Sequence, residues 1–206
     1  MDLQGSSIVL LILSLLVAIT IHEAMHAFTA HWLGDPTAAD EGRITLNPLA
    51  HIDLFATILL PILLITFGLP PILAAKPVPF NPDRVKFDEF GAALVGLAGP
   101  LTNLVLAIAT AGILNVLQPD YSTLLREGLL IFLQLNIGLF VFNMLPIPPL
   151  DGSRVLYAFA PEPLQRVMLQ IEQFGLMGVL LILFLLLPVL SPLINTLNNY
   201  FLQLLL

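Results

Sequence analysis

The chain contains no cysteine and very little charge. Of its 206 residues, 10% are charged, and the seven basic residues are outnumbered by fourteen acidic ones. The lack of cysteine excludes disulfides and thiolate metal ligands. Seven scattered Lys and Arg form no basic patch, so the sequence offers no footing for nucleic acid. A soluble domain carries about 25% charged residues. Here the hydrophobic share is 58% and the mean hydropathy +0.97, the composition of an integral membrane protein. No stretch is polar enough for an appended soluble domain, so residues 1–206 read as a single membrane-embedded domain. The N-terminus carries Asp2 and no Lys or Arg, and its apolar run continues directly into residues 22–26; a retained first span is expected.

Apolar blocks lie at about 7–33, 54–73, 90–117, 128–146 and 168–190, followed by a tail over 192–206. A full span needs about 20 apolar residues. The first, third and fifth blocks meet this easily and the fourth narrowly. Block 54–73 is interrupted by Pro61, Gly68 and Pro70-Pro71, and Pro77, Pro79 and Pro82 follow; it is expected to enter the membrane without crossing it. In the tail, Asn195, Asn198, Asn199 and Gln203 oppose Leu193, Leu197, Phe201 and Leu204, an amphipathic stripe suited to an interface or a short last span. The expected fold is an all-α polytopic bundle of about four to six transmembrane helices, with a re-entrant or short β-like element at about 54–89.

Inside the first block stands His22-Glu23-Ala24-Met25-His26. A carboxylate at a helix centre costs on the order of 2.5–3.5 kcal/mol in lipid, so an ionisable cluster there points to function. Positions i and i+4 share a helix face, so both imidazoles can reach one metal. Glu23 lies beside it, placed to take a proton from water. This is the spacing of zinc hydrolases. Ile8 to Ile21 precede the motif, roughly 21 Å of helix, in a hydrocarbon core about 30 Å thick. The site therefore lies below the face that the helix's C-terminal end reaches.

A catalytic zinc site usually has a third protein ligand. The candidate is Asp151, which follows Pro146, Pro148 and Pro149 at the end of the fourth block. Prolines stop the helix, and within a bilayer such a break is tolerated only where protein or a water-filled cavity surrounds it.

With these residues the chain resembles the site-2 proteases, intramembrane zinc metalloproteases. The shared segments are HEAMH at 22–26, Leu33-Gly34-Asp35-Pro36, and Asn47 to Asp53. They continue through Lys76 to Pro79, Ala98 to Asn103, and Asn143 to Gly152. The resemblance implies one zinc per chain on His22, His26 and Asp151, Glu23 as catalytic base, and Asn143 and Asn103 as polar groups facing the site. It implies a transmembrane protein as substrate, cleaved in or near its membrane segment, and a form without the peptide-binding or nucleotide-sensing domains some relatives carry.

Asp151 reaches the zinc only if the first and fourth blocks end at the same face. Block 90–117 supplies the one crossing between them, and 54–89 must return to its starting face. Arg43, Lys76, Arg84, Lys86, Arg154 and Arg166 then share the active-site face and Arg126 lies opposite. By the positive-inside rule that face is cytoplasmic, in a cell membrane.

Other residues carry weaker signals. Asn143 is expected to donate to the oxyanion. Asn103 falls in a stripe of small residues, Ala92, Gly96, Gly99, Ala107 and Thr110, that allows close helix packing; contact with substrate is the further expectation. Lys76 and Val78 lie in a proline-rich segment read as an edge strand that receives unwound substrate. His31 is half a turn away from His22 and is expected at the interface, and His51 is expected to be a loop hydrogen-bonding residue. A zinc transporter would want several sites along a path, and an inactive scaffold would show decay of HEAMH or Asp151; neither pattern is present.

Overall fold

The computed structural model describes residues 5–53, 59, 66, 76, 78–120 and 123–206. The protein is an all-α polytopic membrane protein, and among the described residues there is no strand. Among the described residues the α-helices are α1 (Gly5–Trp32), the single turn α2 (Thr37–Asp40), α3 (Asp88–Leu117), α4 (Leu124–Asn143), α5 (Asp151–Phe159), α6 (Glu162–Gln173) and α7 (Gly175–Leu205). Four are long and apolar enough to cross a membrane: α1, α3, α4 and the Phe184–Leu205 part of α7. The expected re-entrant block 54–73 lies almost entirely outside the described residues.

Helix directions follow from contacts at their ends. Near the start of α1, Ser7 Oγ donates to Glu127 in the first turn of α4, so these two helices run parallel. At the other end of α1, Leu33 accepts from the Lys86 amide at 2.9 Å, just before α3 begins, so α3 runs back. The Asn115 amide near the end of α3 reaches the Leu205 carbonyl at 3.4 Å, which sets the end of α7 beside it. The amide of Lys76 bonds to the carbonyl of His51 at 2.9 Å. Whatever path 54–75 takes, the chain thus returns to the spot it left.

The predicted small-residue stripe explains why α3 is the central helix. Ala92, Gly96, Gly99, Asn103, Ala107 and Thr110 are all buried, against α1, α4 and α5. Apolar side chains gain nothing by leaving lipid, so close van der Waals contact through small residues is what joins such helices. Toward the other face, Ala107, Ala111 and Leu114 meet Leu133, Ile137 and Val141 of α4, with Ile194, Leu197 and Phe201 of α7 packed over them.

Two boundaries differ from the expectation. A single helix, α7, runs through Pro188 and Pro192 where a span over 168–190 and a separate tail were expected. In lipid a break exposes backbone groups that nothing pairs, so prolines are absorbed into the helix. The start of the expected fifth block instead belongs to α6, which is strongly amphipathic and precedes the span.

Candidate metal centre

The candidate metal-binding side chains come from two places that α3 holds together. In α1, His22 and His26 are buried on the face toward α3, their rings 4.6 Å apart and edge to face. Asp151 is the first residue of α5, and its carboxylate Oδ2 lies 3.2 Å from Nε2 of His22 and 3.3 Å from Nε2 of His26. The two Nε2 atoms are 3.0 Å apart.

Glycines make this convergence possible. A methyl group on Gly99 would stand 2.4 Å from His26 Nε2 and 2.5 Å from His22 Nε2. On Gly96 it would lie 2.9 Å from the Asp151 carbonyl. Gly152 is packed so closely on the end of α4 that its methyl would meet the Met144 carbonyl oxygen at 2.4 Å. The helix α3 therefore contacts both halves of the site with bare backbone. The turn after α4 brings α5 back under its end, with Leu150 bonding to Ile147 and Ser153 to Leu150, both at 2.9 Å.

The geometry fits zinc. Ligands at 2.0–2.1 Å around a tetrahedral ion stand about 3.3–3.4 Å from one another, and the three donor separations here are 3.0, 3.2 and 3.3 Å. The far nitrogens are already engaged: His26 Nδ1 donates to the Val95 carbonyl at 2.6 Å, and His22 Nδ1 faces Asn103 Oδ1 at 2.5 Å. A metal-bound histidine commonly uses its second nitrogen in this way. Three potential donor atoms this close together can hold one metal ion among them.

Around this centre, Glu23 is half-buried beside the histidines. Asn103 is fully buried at 0% exposure, with its Oδ1 on His22 and its Nδ2 on Asn136, so the residue expected to touch substrate backs His22. Asn143 ends α4 and donates through Nδ2 to the Leu139 carbonyl at 3.0 Å. Lys76 has both backbone groups engaged, its amide with His51 and its carbonyl with Arg43 Nη2 at 2.5 Å, while Val78 is half-buried. Phe80 lies under the Arg154 guanidinium at 4.3 Å, and the Asn81 amide bonds to Asp35 at 2.6 Å. The segment is pinned at both ends, with Val78 and Pro79 between the pins. His31 is exposed at the end of α1, and His51 is buried, its Nε2 donating to the Thr45 carbonyl at 2.9 Å. Sequence reasoning missed Asn136, because an asparagine within an apolar run shows no partner in one dimension. A cavity of about 460 Å³ lies among α3, α5 and α6 on the same side, with Asp83, Glu89, Ser153, Arg154 and Glu172 in its wall.

Fold and site together define a helical membrane protein built around two histidines and an aspartate that could hold a metal ion. Comparison with known proteins gives that centre its family. The chain is 40% identical over 181 residues, 84% of its length and 79% of the relative's, to a protein of Bacillus subtilis named "Putative zinc metalloprotease YwhC". It is 33% identical to Rip2 of Mycobacterium tuberculosis, covering 94% of this chain and 70% of Rip2. To MJ0611 of Methanocaldococcus jannaschii it is 35% identical over 73% of the chain and 72% of that protein. Rip2 and MJ0611 carry the same zinc metalloprotease description. The chain belongs to this zinc metalloprotease family, and its cofactor is zinc. No family model matches the chain, and no solved structure matches it at a significant level.

Proposed function

We propose that this metalloprotease is of the site-2 type and hydrolyses peptide bonds in or near the transmembrane segments of other membrane proteins. The observation that carries this reading is the position of the donor triad. His22 follows an apolar run of about 21 Å in a spanning helix, and Asp151 is delivered beside it by a break in the chain rather than by a soluble lobe.

His22, His26 and Asp151 would hold the zinc. When bound, zinc acidifies water toward a pKa of about 7 and polarises the scissile carbonyl. Glu23, half-buried and one residue from His22, accepts the proton from the attacking water and passes it to the leaving amine. The second amide hydrogen of Asn143 donates to the developing oxyanion. Asn103 orients His22. The stretch around Val78 receives the unwound substrate by strand addition, since a helical substrate has no backbone groups to spare. With both Lys76 backbone groups engaged, that contact begins at Val78. The polar cavity beside Ser153 supports entry of water from the same side. The active-site face is cytoplasmic in this reading, in a multi-pass protein of the cell membrane.

The test is reconstitution with a single-span substrate and mass-spectrometric mapping of the cut. Cleavage within the span or a turn beyond it is expected. Cleavage confined to water-soluble loops would overturn the intramembrane reading while leaving the metalloprotease intact.

A further inference from the structure

Asn136 has no part in the chemistry above, yet it is fully buried between spanning helices at 0% exposure. Several other polar side chains in these helices are satisfied within their own turn. Thr102, Thr110, Ser191 and Thr196 each donate to the carbonyl four residues back, at 2.5–2.8 Å. Asn136 does the same through Nδ2, to the Phe132 carbonyl at 2.8 Å. It differs in having an oxygen left over. That Oδ1 points across to α3, where it accepts from Asn103 Nδ2 at 2.8 Å. Asn103 in turn sets its own Oδ1 2.5 Å from His22 Nδ1.

The relay has only one consistent polarity. The Phe132 carbonyl can only accept, so Asn136 must give it the amide hydrogen and turn its oxygen toward α3. Reversed, it would set two oxygens 2.8 Å apart at a fully buried site. Asn103 must then present hydrogen to Asn136 and oxygen to His22. His22 must carry its proton on Nδ1, leaving a lone pair on Nε2, the atom that faces His26 and Asp151. For His26 the same state is reached in one step, because the Val95 carbonyl faces its Nδ1 directly.

We propose that Asn136 is a positioning residue of the metal centre: through Asn103 it holds His22 in the Nδ1–H tautomer and ring orientation that presents Nε2 to zinc. Both ends of an amide have nearly the same shape, so partners alone decide which way Asn103 points. Without Asn136, Asn103 turns over half the time or more, offers N–H to Nδ1, and moves the ring proton to Nε2, where it blocks ligation. Partners of this kind are worth about 10–100-fold in metal affinity.

The inference rests on the zinc site but not on the identity of the substrate, so it is tested by zinc affinity, measured by chelator competition on purified full-length protein. Asn136→Leu is expected to weaken binding about 10–100-fold with helix content unchanged. In an Asn103→Asp background, a carboxylate accepts from Nδ1–H through either oxygen and needs no orienting. There the second carboxylate oxygen would face Asn136 Oδ1, so adding Asn136→Leu relieves that contact and is expected not to weaken binding. Equal losses in both backgrounds would mean that Asn136 is only a packing piece and would overturn the proposal, as would wild-type affinity in the single variant. Where the leucine variant does not fold, Asn136→Thr and Asn136→Val keep one shape with and without an acceptor oxygen. The threonine variant is expected to bind zinc at least about tenfold more tightly, and equal affinities would overturn the proposal. Wild-type protein that takes up no zinc would instead overturn the metal centre itself.

Discussion

At the scale of single residues, the centre depends as much on an absent side chain as on those present. Gly99 has no functional group, but a methyl there would occupy the space between the two Nε2 atoms. Gly99→Ala should therefore cut the zinc content of purified protein at least about tenfold, although alanine is the better helix former by about 1 kcal/mol. Normal zinc loading in this variant would show that α3 does not approach the histidines as closely as described. The candidate ligand group was legible in the sequence, because His-x-x-x-His has a fixed consequence on a helix and an aspartate after three prolines has few structural uses in lipid, and the fold brings the three side chains together. The stripe of small residues announced close packing without naming its partner. Asn136 was not legible at all, since its role depends on a contact across 33 residues with Asn103.

At the scale of elements, the active-site end is tied together by loop contacts that the apolar pattern does not encode. Asp35 is fully buried at the end of α1, accepting from the Thr37 hydroxyl and amide and from the Asn81 amide just before α3. Burial pushes its carboxyl up, but these hydrogen bonds and the charge of Arg84 outweigh that and hold it below the ordinary carboxylate range. A depressed folded-state pKa stabilises above the unfolded value and loses that contribution as pH falls through the folded one. The difference in thermal midpoint between wild type and Asp35→Asn should thus be constant from neutral pH to about 5 and shrink below about 4. A difference that grows on acidification would contradict this. The sequence showed Leu33-Gly34-Asp35-Pro36 as a family segment, while its partner Asn81 lay 46 residues away. The α6–α7 boundary escaped the hydropathy pattern for another reason: a membrane helix tolerates internal prolines, and α7 continues through Pro188 and Pro192.

At the scale of the whole molecule, α1 and α4 run one way and α3 and α7 the other, which brings both parts of the site to one end. The parity condition drawn from the need to join Asp151 to HEAMH had required the first and fourth blocks to end together. The contacts of Leu33 with Lys86 and of His51 with Lys76 place both flanks of 54–75 at that same end. Five of the basic residues there, Arg43, Lys76, Arg84, Lys86 and Arg154, lie in the loops or in α5, and Arg166 lies in α6. Under the proposed orientation this end faces the cytoplasm. Because the chain has no cysteine, single introduced thiols report topology without background. Asp83→Cys and Gln165→Cys should label only from the cytoplasmic side, and Asp120→Cys only from the other. Labelling of all three from one side would overturn the arrangement of spans.

The most direct test of the account compares wild type with Glu23→Gln for bound zinc and for cleavage of a transmembrane substrate in detergent. The account predicts one zinc per chain in both proteins. It predicts cleavage by wild type alone, with the variant slower by about 10²–10⁴-fold, the usual weight of a general base. A variant that cleaves as fast as wild type, or a wild type without zinc that still cleaves, would contradict it.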